Sequence, residues 1–197
     1  MQALVPDISL DIRYAGSNNF VGMPVEGYEA SRCYLLKPVA EALKRVELAL
    51  REQQLRLRIF DCYRPVRAVE HFGRWAHDLD DQRTKPAFYP SLDKTQLLGV
   101  YIGKRSGHSR GATIDLTLMR CDAAGHCTSL DMGTEFDFFD PLANTDSPRA
   151  TLQQHENRQL LRAAMEKEGF QNYPMEWWHY TYQPEPSPDV AYDFPVK

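Results

Sequence analysis

From Pro38 onward the apolar residues Val39, Leu43, Val46 and Leu50 recur at the spacing of one helix face, and Pro38 suits a first turn. The pattern predicts an amphipathic helix running to about Gln54. In Leu55-Arg56-Leu57-Arg58-Ile59-Phe60 apolar residues alternate with arginines, which predicts a strand. Asp61-Cys62-Tyr63-Arg64 breaks that alternation, and Pro65 can open a second helix carrying Val69, Phe72 and Trp75, so Arg64 projects from a strand-to-helix junction. Between Leu79 and Gly103 the pattern is weak and rich in polar and turn residues, as in a long connection that covers a site. From Gly111 to Leu118 the alternation returns, with Ile114, Leu116 and Leu118 on one face and Thr113, Asp115 and Thr117 on the other. A third helix fits about Thr151 to Glu168, with a stripe of Leu160, Leu161, Ala164 and Met165 and a stop at Gly169, before a strand-like Met175 to Tyr182. Helices and alternating strands without a regular strand-helix-strand rhythm predict an α+β fold, with a mainly antiparallel sheet and helices packed around it.

The chain has 197 residues and no internal repeat, low-complexity tract or linker, so one domain spanning 1–197 is expected. A net charge of -4 and a pI near 5.9 lack the basic footprint of a nucleic-acid binder and argue equally against anionic membranes. No apolar run reaches the roughly 20 residues needed to cross a bilayer, so membrane insertion is not expected. The opening MQALVPDISLDIRY has neither a basic nor an apolar leader region, although a mature exported protein would look the same. Four cysteines are an even count: Cys121 and Cys127 flank the turn-rich DAAGH, and Cys33 and Cys62 sit near segments of interest. Spacing is compatible with two disulfides and equally with four reduced thiols.

Candidate chemistry gathers in two places. Ser106-Gly107-His108-Ser109-Arg110-Gly111-Ala112-Thr113-Ile114-Asp115 sets an imidazole before a tight glycine turn and a carboxylate further along the strand. Glu176-Trp177-Trp178-His179-Tyr180 adds a second imidazole and carboxylate among aromatic residues that would exclude water. Two histidines and a carboxylate make a catalytic zinc set, because three protein ligands leave a fourth position for water; Glu176 is then left for proton transfer. In a regular strand Glu176 and His179 would face opposite ways, so a bulge or tight turn must intervene. Taken by spacing alone, a lone histidine is more often a structural or surface residue than a ligand, and the two tryptophans could be core. A rival soft-ligand cluster of Cys121, His126 and Cys127 lacks a fourth partner at normal spacing.

The motif Ser-x-His-x-x-Gly-x-x-x-Asp, followed downstream by Glu-Trp-Trp-His, resembles the zinc D-alanyl-D-alanine dipeptidase family best known from vancomycin-resistant bacteria. That family sits within a wider group of D-Ala-D-Ala carboxypeptidases and hedgehog-type zinc domains. The likeness runs nearly end to end: Tyr14 in RYAGSNNFVG, Gly27-Tyr28-Glu29, Asp61-x-Tyr63-Arg64-Pro65, SGHSRGATIDLTL, Asp131-Met132-Gly133-Thr134 with Phe136-Asp137, EWWHY, and the closing Asp193-Phe194-Pro195-Val196-Lys197.

The resemblance implies a zinc site in a cleft, one Zn2+ held by His108, Asp115 and His179, with Glu176 as general base and then general acid and Arg64 stabilising the transition state. It implies the dipeptide D-Ala-D-Ala as substrate, Asp137 as the anchor for its free amino group, and Tyr14, Tyr28 and Ser106 as supporting polar groups. Without the resemblance, Arg64 would read as a structural ion pair with Asp61. The resemblance leaves two neighbouring readings, a D,D-carboxypeptidase that trims longer wall peptides and a non-catalytic zinc-stabilised binding module. A binding module has no need of Glu176 and Arg64 together. The pair Cys33 and Cys62 departs from the cytosolic resistance enzymes of the family, which implies an envelope enzyme with a periplasmic location; a cytoplasmic one is the alternative.

Overall fold

The computed structural model describes residues 1–197. Six strands form one sheet: β1 (Ser9–Leu10), β2 (Leu55–Asp61), β3 (Thr113–Cys121), β4 (Cys127–Ser129), β5 (Phe170–Asn172) and β6 (His179–Tyr182). Their order is β1-β2-β3-β6-β5, with β4 paired to the far end of β3. The expectation of a mainly antiparallel sheet is corrected here: the sheet is mixed, because β1 lies parallel to β2 while the other neighbours run antiparallel. A strand of two residues carries no alternation, so nothing in the sequence announced that parallel edge.

Helices α1 (Lys37–Arg51) and α5 (Leu152–Glu166) form where the helical spacing lies, though both stop a little earlier than predicted. Val39, Leu43, Val46 and Leu50 of α1 are buried, as are Leu161 and Met165 of α5. Both helices cover the sheet face formed by Leu55, Leu57 and Ile59 of β2 and Ile114, Leu116 and Leu118 of β3, all buried. The cross-strand pairs Leu57 with Leu118 and Ile59 with Leu116 bring these side chains onto a common face. Thr151 starts α5 with a reciprocal cap: its hydroxyl accepts from the Gln154 N–H, and the Gln154 side chain accepts from the Thr151 N–H.

The other face of the sheet is polar at its centre and is closed by α2 (Val66–His77), by the aromatic residues Tyr14, Phe20 and Phe139, and by the connection after α2. That connection contains two single-turn helices, α3 (Lys85–Phe88) and α4 (Lys94–Leu97). Lys94 is buried, with its ammonium over the Trp75 ring and donating to the carbonyls of Trp75 and Asp78, where it satisfies the C-terminal end of α2. Two disulfides join Cys33 to Cys62 and Cys121 to Cys127.

Candidate active site

Strand register does most of the positioning. A bulge between Ile59 and Asp61 makes Asp61 the cross-strand partner of Asp115, and the β3–β6 pairing makes His179 the partner of Asp115 on the other side. Cross-strand partners project from the same face. Asp61, Asp115 and His179 therefore form a row across three strands on the face away from α1 and α5. His108 joins them from a 3-10 turn, Gly107–Arg110, which enters β3 through Gly111. Gly111 has φ 73°, left-handed backbone that glycine adopts without a side-chain penalty.

His108 Nε2 lies 3.2 Å from Asp115 Oδ2, His179 Nδ1 lies 3.1 Å from Asp115 Oδ1, and the two imidazole nitrogens are 3.4 Å apart. One ligand atom from each residue falls within 4.8 Å of the others. Two details fit a cation at their centre. His108 Nδ1 donates to the Cys62 carbonyl at 2.7 Å, which fixes the tautomer so that Nε2 presents its lone pair inward. Asp115 Oδ1 is buried and makes no hydrogen bond despite the nearby imidazole, an orphan that a metal ion would satisfy. Burial resists ionisation of Asp115, but the two histidines outweigh it and hold its carboxyl below the usual carboxylate range.

Glu176 does not share a regular strand with His179. Pro174 to Trp178 form turns, and the His179 N–H donates back to the Glu176 carbonyl at 3.2 Å. The bend brings Glu176 Oε2 to 3.4 Å from His179 Nδ1, which resolves the facing problem posed by their spacing. Burial, with the nearby charge of Asp115, lifts the Glu176 carboxyl to about 7.

Arg64 sits between Asp61 and Asp115. Its Nε donates to Asp61 Oδ2 at 2.9 Å, one terminal nitrogen reaches Asp115 Oδ2 at 3.4 Å, and the guanidinium lies over the rings of Tyr14 and Phe72. The ion pair with Asp61 and a place at the site are thus both present in one side chain. Asp137 is 5% exposed and accepts from the Tyr14 hydroxyl at 2.8 Å. Burial, reinforced by the charge of Asp115, pushes its carboxyl well above the ordinary range. Its φ of 61° is a left-handed conformation, a strained geometry for a residue with a side chain that persists where the surroundings impose it. Ser106 accepts from the His108 N–H at 3.2 Å.

A cavity of about 340 Å³ gathers these groups: Tyr14, Arg64, Ser106, Asp115, Asp137, Glu176 and His179 all line it. That volume is at the small end for ligand pockets. Tyr28 is the one member of the predicted set that stands back from both the cavity and the metal cluster. Its hydroxyl donates to Asp61 Oδ1 at 2.6 Å and so steadies the carboxylate that holds Arg64. Asp61 was read only as a partner for Arg64, and its central place in the row depends on a bulge that no residue pattern marks. Residues 100–103, at the end of the connection predicted from Leu79 to Gly103, and Arg105 just after it form part of the wall, as do Phe139 and Tyr173; their side chains carry no signal in isolation.

A two-histidine, one-carboxylate cluster with a spare, half-buried carboxylate in a small cavity is the arrangement of metal-dependent hydrolases. Within that class, the family described as D-ala-D-ala dipeptidase matches residues 1–197, and the chain belongs to it. Three relatives that bear the name D-alanyl-D-alanine dipeptidase are similar along nearly their whole length. The one from Enterococcus faecium is 38% identical over 198 residues, covering 100% of this chain and 96% of its own. Those from Streptomyces coelicolor and Enterococcus faecalis are 40% and 39% identical, covering 98% and 100% of this chain and 95% and 96% of theirs.

Proposed function

We propose that this protein hydrolyses D-alanyl-D-alanine to free D-alanine, with one zinc ion held by His108, Asp115 and His179. The observation that carries the reading is that two further carboxylates, the buried Asp137 and the half-buried Glu176, share one small cavity with that cluster. Zinc in such a site supplies a Lewis acid and a water of lowered pKa. The protein's own groups do the rest. Glu176, whose carboxyl is raised by burial, accepts the proton of the attacking water and returns it to the leaving amine. Arg64, held by Asp61 and backed by the Tyr14 and Phe72 rings, offers its remaining N–H groups to the oxyanion of the tetrahedral intermediate. Asp137, oriented by Tyr14, pairs with the free ammonium of the substrate. A D,D-carboxypeptidase would need open space in place of that carboxylate, and a non-catalytic zinc module would need neither Glu176 nor Arg64.

The test is release of D-alanine from D-Ala-D-Ala by the zinc-loaded protein, by the same protein after chelator treatment, and after zinc is restored. Turnover that disappears with the chelator and returns with zinc is expected; no turnover by the zinc-loaded protein would overturn the proposal. The two disulfides favour an oxidising compartment, and the periplasm is the location proposed. Protein isolated from its native cell and alkylated without reductant should gain no label on any cysteine; four labelled thiols would return it to the cytoplasm.

A further inference from the structure

A dipeptide in this cavity brings a carboxylate as well as an ammonium. The groups that line the space are rich in acid: Asp115, Asp137 and Glu176. With Asp115 assigned to the metal and Asp137 to the ammonium, the carboxyl end of the zwitterion still needs a cation of its own. Two arginines line the cavity, Arg64 and Arg105. Arg64 is committed, with Nε on Asp61, a terminal nitrogen toward Asp115 and its face covered by Tyr14 and Phe72. Arg105 is exposed and free: no carboxylate oxygen lies within 4.0 Å of it, and it has no side-chain hydrogen bond. We infer that Arg105 is the group that takes the C-terminal carboxylate of the dipeptide, so that the cavity reads both charged ends of its substrate. This rests on the dipeptidase reading.

Several features favour Arg105 over other sources of positive charge. It lies three residues before His108 on the same loop, so its reach is tied to the metal cluster, while Asp137 comes from a separate segment after β4. The loop itself is pinned, since the Ile102 N–H donates to the Leu97 carbonyl and the Gly99 N–H to the Ile102 carbonyl, each at 2.9 Å. The adjacent Lys104 is also exposed but lies outside the cavity lining. A guanidinium can meet a carboxylate with two parallel hydrogen bonds, which an ammonium cannot.

The experiment compares the zinc-loaded enzyme with Arg105→Gln, Arg105→Lys and Lys104→Gln, on D-Ala-D-Ala and on D-Ala-D-alaninamide, which lacks the carboxylate charge. A charge-assisted hydrogen bond of ordinary strength predicts a rise in KM of about ten- to a hundredfold for Arg105→Gln on the free acid, with kcat little changed. On the amide, Arg105→Gln and the unchanged enzyme should be equal, Arg105→Lys should recover part of the loss on the acid, and Lys104→Gln should match the unchanged enzyme throughout. Wild-type KM for D-Ala-D-Ala in Arg105→Gln would overturn the inference, as would an equal loss on acid and amide, which would indicate only a disturbed loop. No hydrolysis of D-Ala-D-Ala by the unchanged enzyme would remove the dipeptidase reading and this inference with it, a result distinct from either of the others.

Discussion

Blocking the amino group of the substrate should cost this enzyme far more than the added bulk suggests, because of Asp137. Asp137 is 5% exposed, and its only side-chain partner is the Tyr14 hydroxyl. N-acetyl-D-Ala-D-Ala removes the ammonium that would balance it and crowds an acyl group against a buried carboxylate. Leaving a buried charged group without its partner costs about 3 to 5 kcal/mol, or roughly two to four orders of magnitude in kcat/KM. The lower end applies here, since burial raises the Asp137 carboxyl and part of the pairing energy goes into ionising it. A loss of about a hundredfold for the acetylated peptide is therefore expected. Asp137→Asn should lose activity on the free dipeptide and shrink the gap between the two substrates, because the amide is indifferent to the missing charge. The assay is kcat/KM for both peptides with both proteins. Equal cleavage of free and acetylated dipeptide by the unchanged enzyme would refute the reasoning and favour a carboxypeptidase.

Glu176→Gln should keep its metal and lose at least about a hundredfold in turnover, the usual scale for a general base; near-normal kcat at full zinc occupancy would remove Glu176 from proton transfer. His108→Ala and His179→Ala should each lose zinc and activity together, measured by metal analysis after dialysis, and stoichiometric zinc in both would exclude the ligand assignment. Arg158 of α5 is fully buried and donates to the carbonyls of Met132, Leu142 and Asn144. Arg158→Leu strands those acceptors and should destabilise the fold by about 3 kcal/mol or more in denaturant titration; a change below about 0.5 kcal/mol would show that they find other donors.

The sequence was most informative where an element was long enough to show a period. α1, α2 and α5 follow their apolar spacing, and β3 follows the alternation that set Asp115 apart from Ile114 and Leu116. β1, β4 and β5 have two or three residues each, too few for a period, and so the parallel edge of the sheet went unread. The pattern predicts a strand-like run from Met175 to Tyr182, yet only His179–Tyr182 is strand; the spacing of Glu176 and His179 itself demands the bend that replaces the rest. The named site residues came from motif resemblance more than from periodicity, and the structure gathers them around one cavity, apart from Tyr28. Register is what the chain hides: the bulge at Phe60 that aligns Asp61 with Asp115 has no side-chain signature.

With the proposed ligands His108, Asp115 and His179, metal uptake would depend on how β6 pairs with β3. His108 and His179 are 71 residues apart in the chain and meet only when β6 has docked on β3 in one register. A slip of a single residue would turn His179 toward the helices and offer the aromatic side chain of a neighbour in its place. Such a chain could keep its secondary structure and much of its core, yet it would have no third ligand. Ion capture under that ligand set would then stabilise only molecules with β6 in register on β3, drawing the population toward the pairing able to hold the metal.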